Sequence, residues 1–523
     1  MPVKQAAVPE VSMLFNSVEY FFFLPVVVLV YYLLPNNKVR NVFLLVASYF
    51  FYMCWNAVYG LLLGTSTLVT FIGALLILKC RTEAVVADRS QAHSAESGRR
   101  GFNRAKCVLI ICLVINLGIL CFFKYWEMLV MYLNRILAHI GTWQLSWTYS
   151  IVLPVGISFY TLQALGYLID VYRGETEAEK NIITYALFVS FFPQLVAGPI
   201  ERSKNLLSQL KQKEKRKFEY ENLKKGFLLI LYGLLLKVVI ADNLAAVVDL
   251  VYNNPGTYAG WYLVFATILF ALQIYCDFYG YSTIARGSAC ILGIQLMSNF
   301  ESPYLSCSVQ EFWRRWHISL SGWFRDYLYI PLGGNRKGEV RKNANLLVVF
   351  SVSGLWHGAS LGFMFWGFLN GIYQVIKNAF VKVLHLSKEK LKHPSIAGRI
   401  LGTFITFTLV TFAWTFFRAS SGPGARVILS DMSHLGNIGI FFSGDFFGSL
   451  GLSGFTIVGS LTAIILLTIV DIFKYRGCKV QDYIASRNGW IRFAIYLGLL
   501  FWIIIFGCYG DHYDAQQFIY FQF

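Results

Sequence analysis

Long apolar segments alternate with short polar ones along the chain of 523 residues. A helix needs roughly 20 apolar residues to cross a bilayer core that is about 30 Å thick. Candidate segments lie at 18–34, 41–78, 107–133, 151–170, 182–198, 226–251, 258–276, 344–376, 398–417, 453–472 and 490–508. The pattern predicts an all-α integral membrane protein with about ten to twelve spans and several shorter buried, re-entrant or interfacial helices.

Several of these segments do not fit a single crossing. Residues 41–78 are interrupted at Trp55 and Asn56 and therefore predict two helices. Residues 151–170 and 280–297 contain Gly, Pro or polar side chains. They predict re-entrant or buried elements, because irregular backbone at membrane depth is tolerated only inside a bundle.

The first apolar segment is interpreted as a retained span. Few positive charges precede it and no small-residue cleavage site follows it, as a signal peptide would require. Residues 1–12 are predicted to be a short polar extension without functional weight.

Composition supports this class, since 56% of the residues are hydrophobic, only 14% are charged and the mean hydropathy is +0.55. A soluble protein of this size cannot hide so much apolar surface. The cysteines lie mostly within apolar segments and form no CxxC pair and no Cys/His cluster of zinc spacing, so no metal site is expected. No glycine-rich nucleotide loop occurs, and no bound cofactor is expected.

The net charge of +17 is concentrated in loops. Lys79–Lys106, Glu201–Lys225 and Lys474–Arg492 are rich in Lys and Arg, so they are predicted to face the cytoplasm. Arg418–Gly454 holds two charges of each sign and is interpreted as external. Both termini are then expected outside the cytoplasm. The loops lack interleaved aromatic platforms, so membrane lipids rather than nucleic acid are the predicted partners.

The segment 299–334 is rich in Trp, Tyr and Arg. It is too charged to span a membrane and too aromatic for a solvated loop. Its composition predicts an interfacial element whose arginines reach headgroups or carboxylates.

The next apolar segment, 344–376, lies between the basic stretch "NRKGEVRK" (335–342) and another basic loop. It must therefore enter the membrane and return, which predicts a hairpin of two short helices. Three glycines offer places to turn: Gly354, Gly358 and Gly362. His357 would lie at this turn, deep in the membrane, where an ionisable residue suggests a functional site. The alternative is a neutral core histidine bonded to a carbonyl.

These two regions carry a family resemblance. "FWRRWHISLSGWFRDYLYIPLGGN" (312–335) followed by "GLWHGAS" (354–360) resembles the two signatures of the membrane-bound O-acyltransferases, in the bacterial branch of alginate O-acetylase-like and teichoic-acid D-alanyl transfer proteins. Four further stretches are similar to that branch: "LPVGISFYTLQALGYLIDVYRG" (153–174), "FFPQLVAGPIERS" (191–203), "DFYGYSTIARGSACILG" (277–293) and "QFIYFQF" (517–523).

The resemblance implies a ring of tilted helices around a central tunnel that joins a cytoplasmic donor pocket to an acceptor pocket on the other side. It implies one acyltransferase domain over 1–523, with a catalytic core segment at 299–376 and C-terminal helices at 398–523. The family's catalytic histidine falls on His357, and its asparagine or histidine partner falls on His317.

The chemistry is consistent with these residues. A hydroxyl is a poor nucleophile until a base takes its proton, and a buried neutral histidine is able to act as that base. We assign this role to His357. His317, Trp356 or a backbone N–H of the 354–358 turn can donate to the oxyanion that develops.

Further residues are predicted to contact the substrates: Trp316, Arg314, Arg315 and Arg325. Guanidinium groups suit the phosphates of coenzyme A or of lipids. The alternative for the arginines is structural pairing with Glu311, Asp326 or Asp277. Tyr520 should lie outside as a local acceptor or a docking element, or else as an aromatic anchor at the interface.

We therefore expect an enzyme of the bacterial cytoplasmic membrane that moves an acyl group, preferably acetyl, from a cytoplasmic thioester such as acetyl-CoA to a hydroxyl of an extracytoplasmic polysaccharide. Transfer would be direct or relayed by a secreted acetyltransferase partner. The alternatives are D-alanyl transfer to teichoic acid, a lipid acyltransferase, and a transporter or acyl channel without chemistry of its own.

Overall fold

The computed structural model describes residues 13–89, 94–141, 145, 151–196, 198–212, 214–383, 395–419 and 421–509. These residues fold into helices and turns, and no β-strand occurs among them. The all-α prediction is confirmed. The predicted extension 1–12 and Tyr520 lie outside the described residues.

The chain divides into two compact units. The first unit comprises Met1–Asn222 and Ser288–Met297, and the second comprises Leu223–Gly287 and Ser298–Phe523. The predicted single domain over 1–523 stays a prediction.

The first unit contains α1–α8, which are Val18–Leu33, Asn37–Met53, Ala57–Arg89, Ser94–Ile140, Ile157–Arg173, Ile182–Ser190, Phe192–Leu195 and Ser208–Leu210. Polar N-caps start several of these helices: the Asn36 side chain accepts from the N–H of Val39, and Asn181 does the same for Ile183 and Thr184. The helix is interrupted between Met53 and Ala57, so the prediction of two helices in 41–78 is confirmed.

The helices that lie wholly or mainly in the second unit begin with α9–α15, which are Tyr220–Leu234, Asp242–Asn253, Trp261–Ile291, Val309–Arg315, Ile318–Phe324, Gly338–His357 and Leu361–Val383. They continue with α16–α21, which are Ile396–Ala419, Gly422–Ser433, Gly444–Ser449, Gly454–Tyr475, Val480–Ala485 and Gly489–Phe506. A π-helical stretch, Leu235–Ala241, joins α9 to α10.

Seven helices among the described residues are long and apolar enough to cross a membrane: Ala57–Ala84, Gly101–Ile140, Tyr220–Asn253, Trp261–Ile291, Ile396–Ala419, Gly454–Tyr475 and Gly489–Phe506. The predicted count of about ten to twelve also included apolar segments that fold as shorter helices. Helix α1, for example, has 16 residues, and α5 is buried along most of its 17 residues, as predicted for 151–170.

The short re-entrant or buried element predicted at 280–297 is not a separate element, because α11 continues without a break to Ile291, but residues 280–291 are buried except for the half-buried Arg286. The glycines that suggested a break serve helix packing instead. A Cβ at Gly280 would lie 2.7 Å from the carbonyl oxygen of Gly233, and one at Gly287 would lie 2.6 Å from that of Gly226. Glycine therefore allows α11 and α9 to approach closely.

The hairpin predicted in 344–376 is confirmed, since α14 ends at His357 and α15 begins at Leu361. Of the three candidate glycines, Gly358 lies in the turn. Gly354 lies within α14, where a Cβ would collide with the backbone carbonyl of Phe363 in α15. A Cβ at Gly367 would likewise collide with the carbonyl oxygen of Phe350. The two helices therefore pack backbone against backbone.

We predict that Gly367→Ala destabilises the protein by about 1–3 kcal/mol, because the new methyl group has no space beside Phe350. Thermal unfolding of the purified protein in nanodiscs measures the change. Gly498→Ala is the matched control, since a Cβ at this α21 position meets open space. Equal stability of both variants with the wild type would contradict the close approach.

Candidate active site

His357 is the last residue of α14 and is 3% exposed. Three aromatic side chains enclose its imidazole. The ring centroids of Trp356, Trp366 and Phe417 lie 4.9, 5.1 and 5.5 Å from that of His357, all in edge-to-face arrangements. The imidazole is therefore held in an apolar setting at the hairpin turn.

His317 lies between α12 and α13 and is 1% exposed. Its backbone has the left-handed conformation, with φ +44° and ψ +54°, which is uncommon for any residue except glycine. Asn299 accepts three hydrogen bonds next to it, one of them from the Ser319 N–H to its side chain at 3.4 Å. The N–H of Ile318 donates to the Asn299 carbonyl at 3.0 Å, and the Ser319 hydroxyl donates to the Asn299 side chain at 2.6 Å.

The fold brings these two histidines together. Their ring centroids are 6.4 Å apart, and the Trp356 ring lies 6.0 Å from that of His317. A base must approach the proton that it removes to about 3 Å. At this spacing, one small polar group can contact both imidazoles. The arrangement suits general-base catalysis by one ring and hydrogen bonding by the other.

Burial sets the protonation state of His317, which lies outside the seven spanning helices. Removal from solvent disfavours the imidazolium and lowers the pKa of His317 to about 3. The ring is thus neutral at physiological pH and has one N–H donor and one acceptor nitrogen. It can stabilise a developing negative charge without being a cation itself.

The predicted arginines differ in their surroundings. Arg315 donates to Glu311 at 3.0 Å and lies over the Tyr475 ring at 4.4 Å. Arg325 is paired with Asp326 at 2.8 Å.

The structural-pairing alternative is thus observed for Arg315 and Arg325, whereas Asp277 contacts Lys237 at 2.7 Å. Arg314 is exposed at the end of α12.

Trp316 is 1% exposed and belongs to an aromatic cluster. Its ring centroid lies 5.0 Å from that of Phe300, 5.3 Å from that of Phe312 and 5.2 Å from that of Trp414. Trp316 immediately precedes His317 and packs into this cluster, and its predicted contact with substrate stays a prediction.

Sequence reasoning missed three residues around the histidines. Trp366 lies in the predicted hairpin, on the helix that returns after the turn at His357, so the hairpin prediction itself was an available signal. Phe417 comes from α16 and Asn299 from a loop, and neither stands out by residue type. Only their position in the folded chain reveals them.

Comparison with known proteins identifies the family to which these signatures belong. The model of the membrane-bound O-acyltransferase family matches residues 178–421. A Pseudomonas aeruginosa protein named "Probable alginate O-acetylase AlgI" is 38% identical over 415 residues, which cover 78% of this chain and 72% of that protein.

Two other relatives differ in their names. The Helicobacter pylori "Peptidoglycan O-acetyltransferase" is 34% identical, over 82% of this chain and 81% of that protein. The Streptococcus thermophilus "Teichoic acid D-alanyltransferase" is 28% identical, over 52% of this chain and 69% of that protein. With its several spanning helices and both signatures in place, the chain belongs to the membrane-bound O-acyltransferase family and is a multi-pass membrane O-acyltransferase.

Proposed function

We propose that this O-acyltransferase moves an acetyl group from a cytoplasmic thioester, acetyl-CoA or another acyl thioester, to a hydroxyl of an extracytoplasmic polysaccharide. Transfer is direct or passes through a partner protein. The observation that supports this chemistry best is the pair of buried histidines, His317 and His357, with ring centroids 6.4 Å apart.

In this proposal His357 is the general base. It takes the proton of the acceptor hydroxyl while the hydroxyl oxygen attacks the thioester carbonyl carbon. When the tetrahedral intermediate collapses, the carbon–sulfur bond breaks and the imidazolium returns the proton to the leaving thiolate. The proton count closes without a metal ion, a cofactor or an external acid. The enclosing aromatic rings limit access of water, which would otherwise hydrolyse the thioester.

His317 and Trp356 are proposed to bind the oxyanion. Each has a ring N–H, and each ring lies near that of His357, at 6.4 and 4.9 Å. A neutral His317 offers this donor over the whole physiological pH range, because its pKa is lowered to about 3.

The remaining assignments follow from charge. The basic loops support a donor side in the cytoplasm, where we propose that the exposed Arg314 contacts phosphate of coenzyme A. Both termini are then outside, and Tyr520 is proposed to lie beside the acceptor entrance. This orientation is testable by labelling single introduced cysteines from either side of the membrane.

The extent of similarity to known relatives supports acetyl rather than D-alanyl as the transferred group. The relatives named for O-acetylation match 78% and 82% of this chain, whereas those named for D-alanyl transfer match 50% and 52%. The chain also continues with spanning helices α19 and α21 after the family-model match, and this longer C-terminal part favours the acetyl branch in our proposal.

We predict that His357→Ala abolishes transfer of radiolabelled acetyl from acetyl-CoA to polysaccharide, with a loss of at least about 100-fold in kcat because the base is removed. The assay uses purified protein in nanodiscs, with candidate partner and acceptor supplied. His434→Ala is the matched control, since it removes an exposed histidine of the same unit.

Full activity of a folded His357→Ala variant would overturn the assigned base. Label transferred from D-alanyl carrier protein but not from acetyl-CoA would overturn the acetyl donor and leave the O-acyltransferase chemistry intact.

We also predict that His317→Asn retains more activity than His317→Val. Asparagine tolerates the left-handed backbone and keeps an N–H donor, whereas a β-branched residue does neither. Relative kcat of the two variants, with melting temperature as the check on folding, measures this difference. Equal loss in two folded variants would contradict the assigned role of an N–H donor at this position.

A further inference from the structure

In the part of the chain that the structure describes, two non-glycine residues have positive φ, His317 at +44° and Ser302 at +52°. Such a conformation costs on the order of 1–3 kcal/mol and persists only where surrounding contacts hold it. The two residues flank the short helix α12, one before it and one after it. What holds Ser302 therefore bears on the geometry of His317.

Residues 299–302 run beside the residues around His317. The N–H of Glu301 donates to the carbonyl of Arg315 at 3.0 Å, two residues before His317. The N–H of Ile318, one residue after His317, donates to the carbonyl of Asn299 at 3.0 Å. These two hydrogen bonds flank the histidine and fix its backbone to the segment 299–302.

Asp471 anchors this segment to the spanning helix α19. Its side chain is buried, with 6% exposure. The Ser302 hydroxyl lies 2.9 Å from the Asp471 carbonyl oxygen and 3.2 Å from one carboxylate oxygen, and can donate to either. The other carboxylate oxygen accepts from the Tyr275 hydroxyl at 2.8 Å.

Tyr275 provides a second connection to the same histidine. Its ring centroid lies 5.7 Å from that of Phe300 and 5.9 Å from that of Trp316. One helical turn further along α11, Phe278 packs edge-on against the His317 imidazole at 4.7 Å. Both elements that border His317, the 299–302 segment and α11, are thus tied to one residue, Asp471, through its carboxylate and its backbone carbonyl.

We propose that Asp471 is a positioning residue for His317, acting through Ser302 and Tyr275, a role that rests on the proposed function of His317. Asp471 touches neither histidine. It lies 50 residues beyond Ser421, where the family-model match ends. The C-terminal helices therefore contribute to the site itself, as well as to membrane anchorage.

Loss of this anchor should affect catalysis more than substrate binding. A displacement of about 1 Å at a reacting group can cost on the order of 100-fold in rate. We expect Asp471→Ala to lower kcat by about 10-fold or more while the KM for the thioester changes by less than about 2-fold. Asp471→Asn, which keeps an oxygen acceptor of the same shape, should recover most of the lost kcat.

A double-variant comparison identifies the route. Ser302→Gly removes the hydroxyl but accepts the positive φ at no steric cost. If Asp471 acts through Ser302, the Asp471→Ala/Ser302→Gly double variant should lose less than the product of the two single losses. A loss of kcat in the double variant equal to the product of the two single losses would overturn that route. Ser460→Ala is the matched control, because it removes another buried hydrogen bond of α19, to the carbonyl of Val239 at 3.3 Å.

Hydrogen–deuterium exchange of the nanodisc protein supplies a measurement that does not depend on turnover. Asp471→Ala should raise exchange at Glu301 and Ile318, whose N–H groups make the flanking hydrogen bonds, and Ser460→Ala should not. Unchanged exchange there would overturn the proposal even if no acceptor polymer has been found. Raised exchange in Asp471→Ala with unaltered kcat would overturn the predicted effect of Asp471 on catalysis. If His357→Ala abolishes transfer and Asp471→Ala does not, the proposed function stands and the positioning role of Asp471 fails.

Discussion

Inside an apolar bundle, a buried polar group must find its partner within the protein, because neither lipid nor water can supply one. The segment 299–319 meets this constraint with an unusual density of contacts. Asn299 binds both Ile318 and Ser319, and Ser302 binds Asp471. These contacts sustain the left-handed backbone of His317, and the position of that ring relative to His357 depends on them.

The same constraint explains a second buried cluster in the second unit. The Lys237 ammonium lies 2.8 Å from Asp242 and 2.7 Å from Asp277, and all three side chains are at most 4% exposed. Lys237 lies in the π-helical stretch between α9 and α10, so the ion cluster ties this span to α11. Removing one partner of a buried ion pair strongly destabilises a protein, because the other charge then remains buried without compensation. The cluster thereby fixes the helix that packs Phe278 against His317.

Glycine contacts and aromatic packing complete the setting for the two histidines. Gly354 and Gly367 bring the two helices of the hairpin into backbone contact, which fixes where α14 ends and thus where His357 lies. Around it, Trp366 stacks with Trp414 at 5.2 Å, so the hairpin and α16 share one aromatic core. The result is a pair of buried imidazoles with ring centroids 6.4 Å apart, which suits the proposed acyl transfer to a hydroxyl.

The sequence by itself determined the all-α membrane class, the hairpin around His357 and the two signature histidines, since hydropathy and motif spacing are local properties of the chain. It did not reveal that α11 runs unbroken through Gly280 and Gly287, because a glycine that breaks a helix and one that packs it look alike in sequence. Local spacing also suggested the pairs Arg315–Glu311 and Arg325–Asp326. Tertiary structure alone decided that Asp277 pairs with Lys237 and that Asp471 reaches Ser302. These contacts join residues as many as 169 positions apart, and such distances leave no local pattern to read.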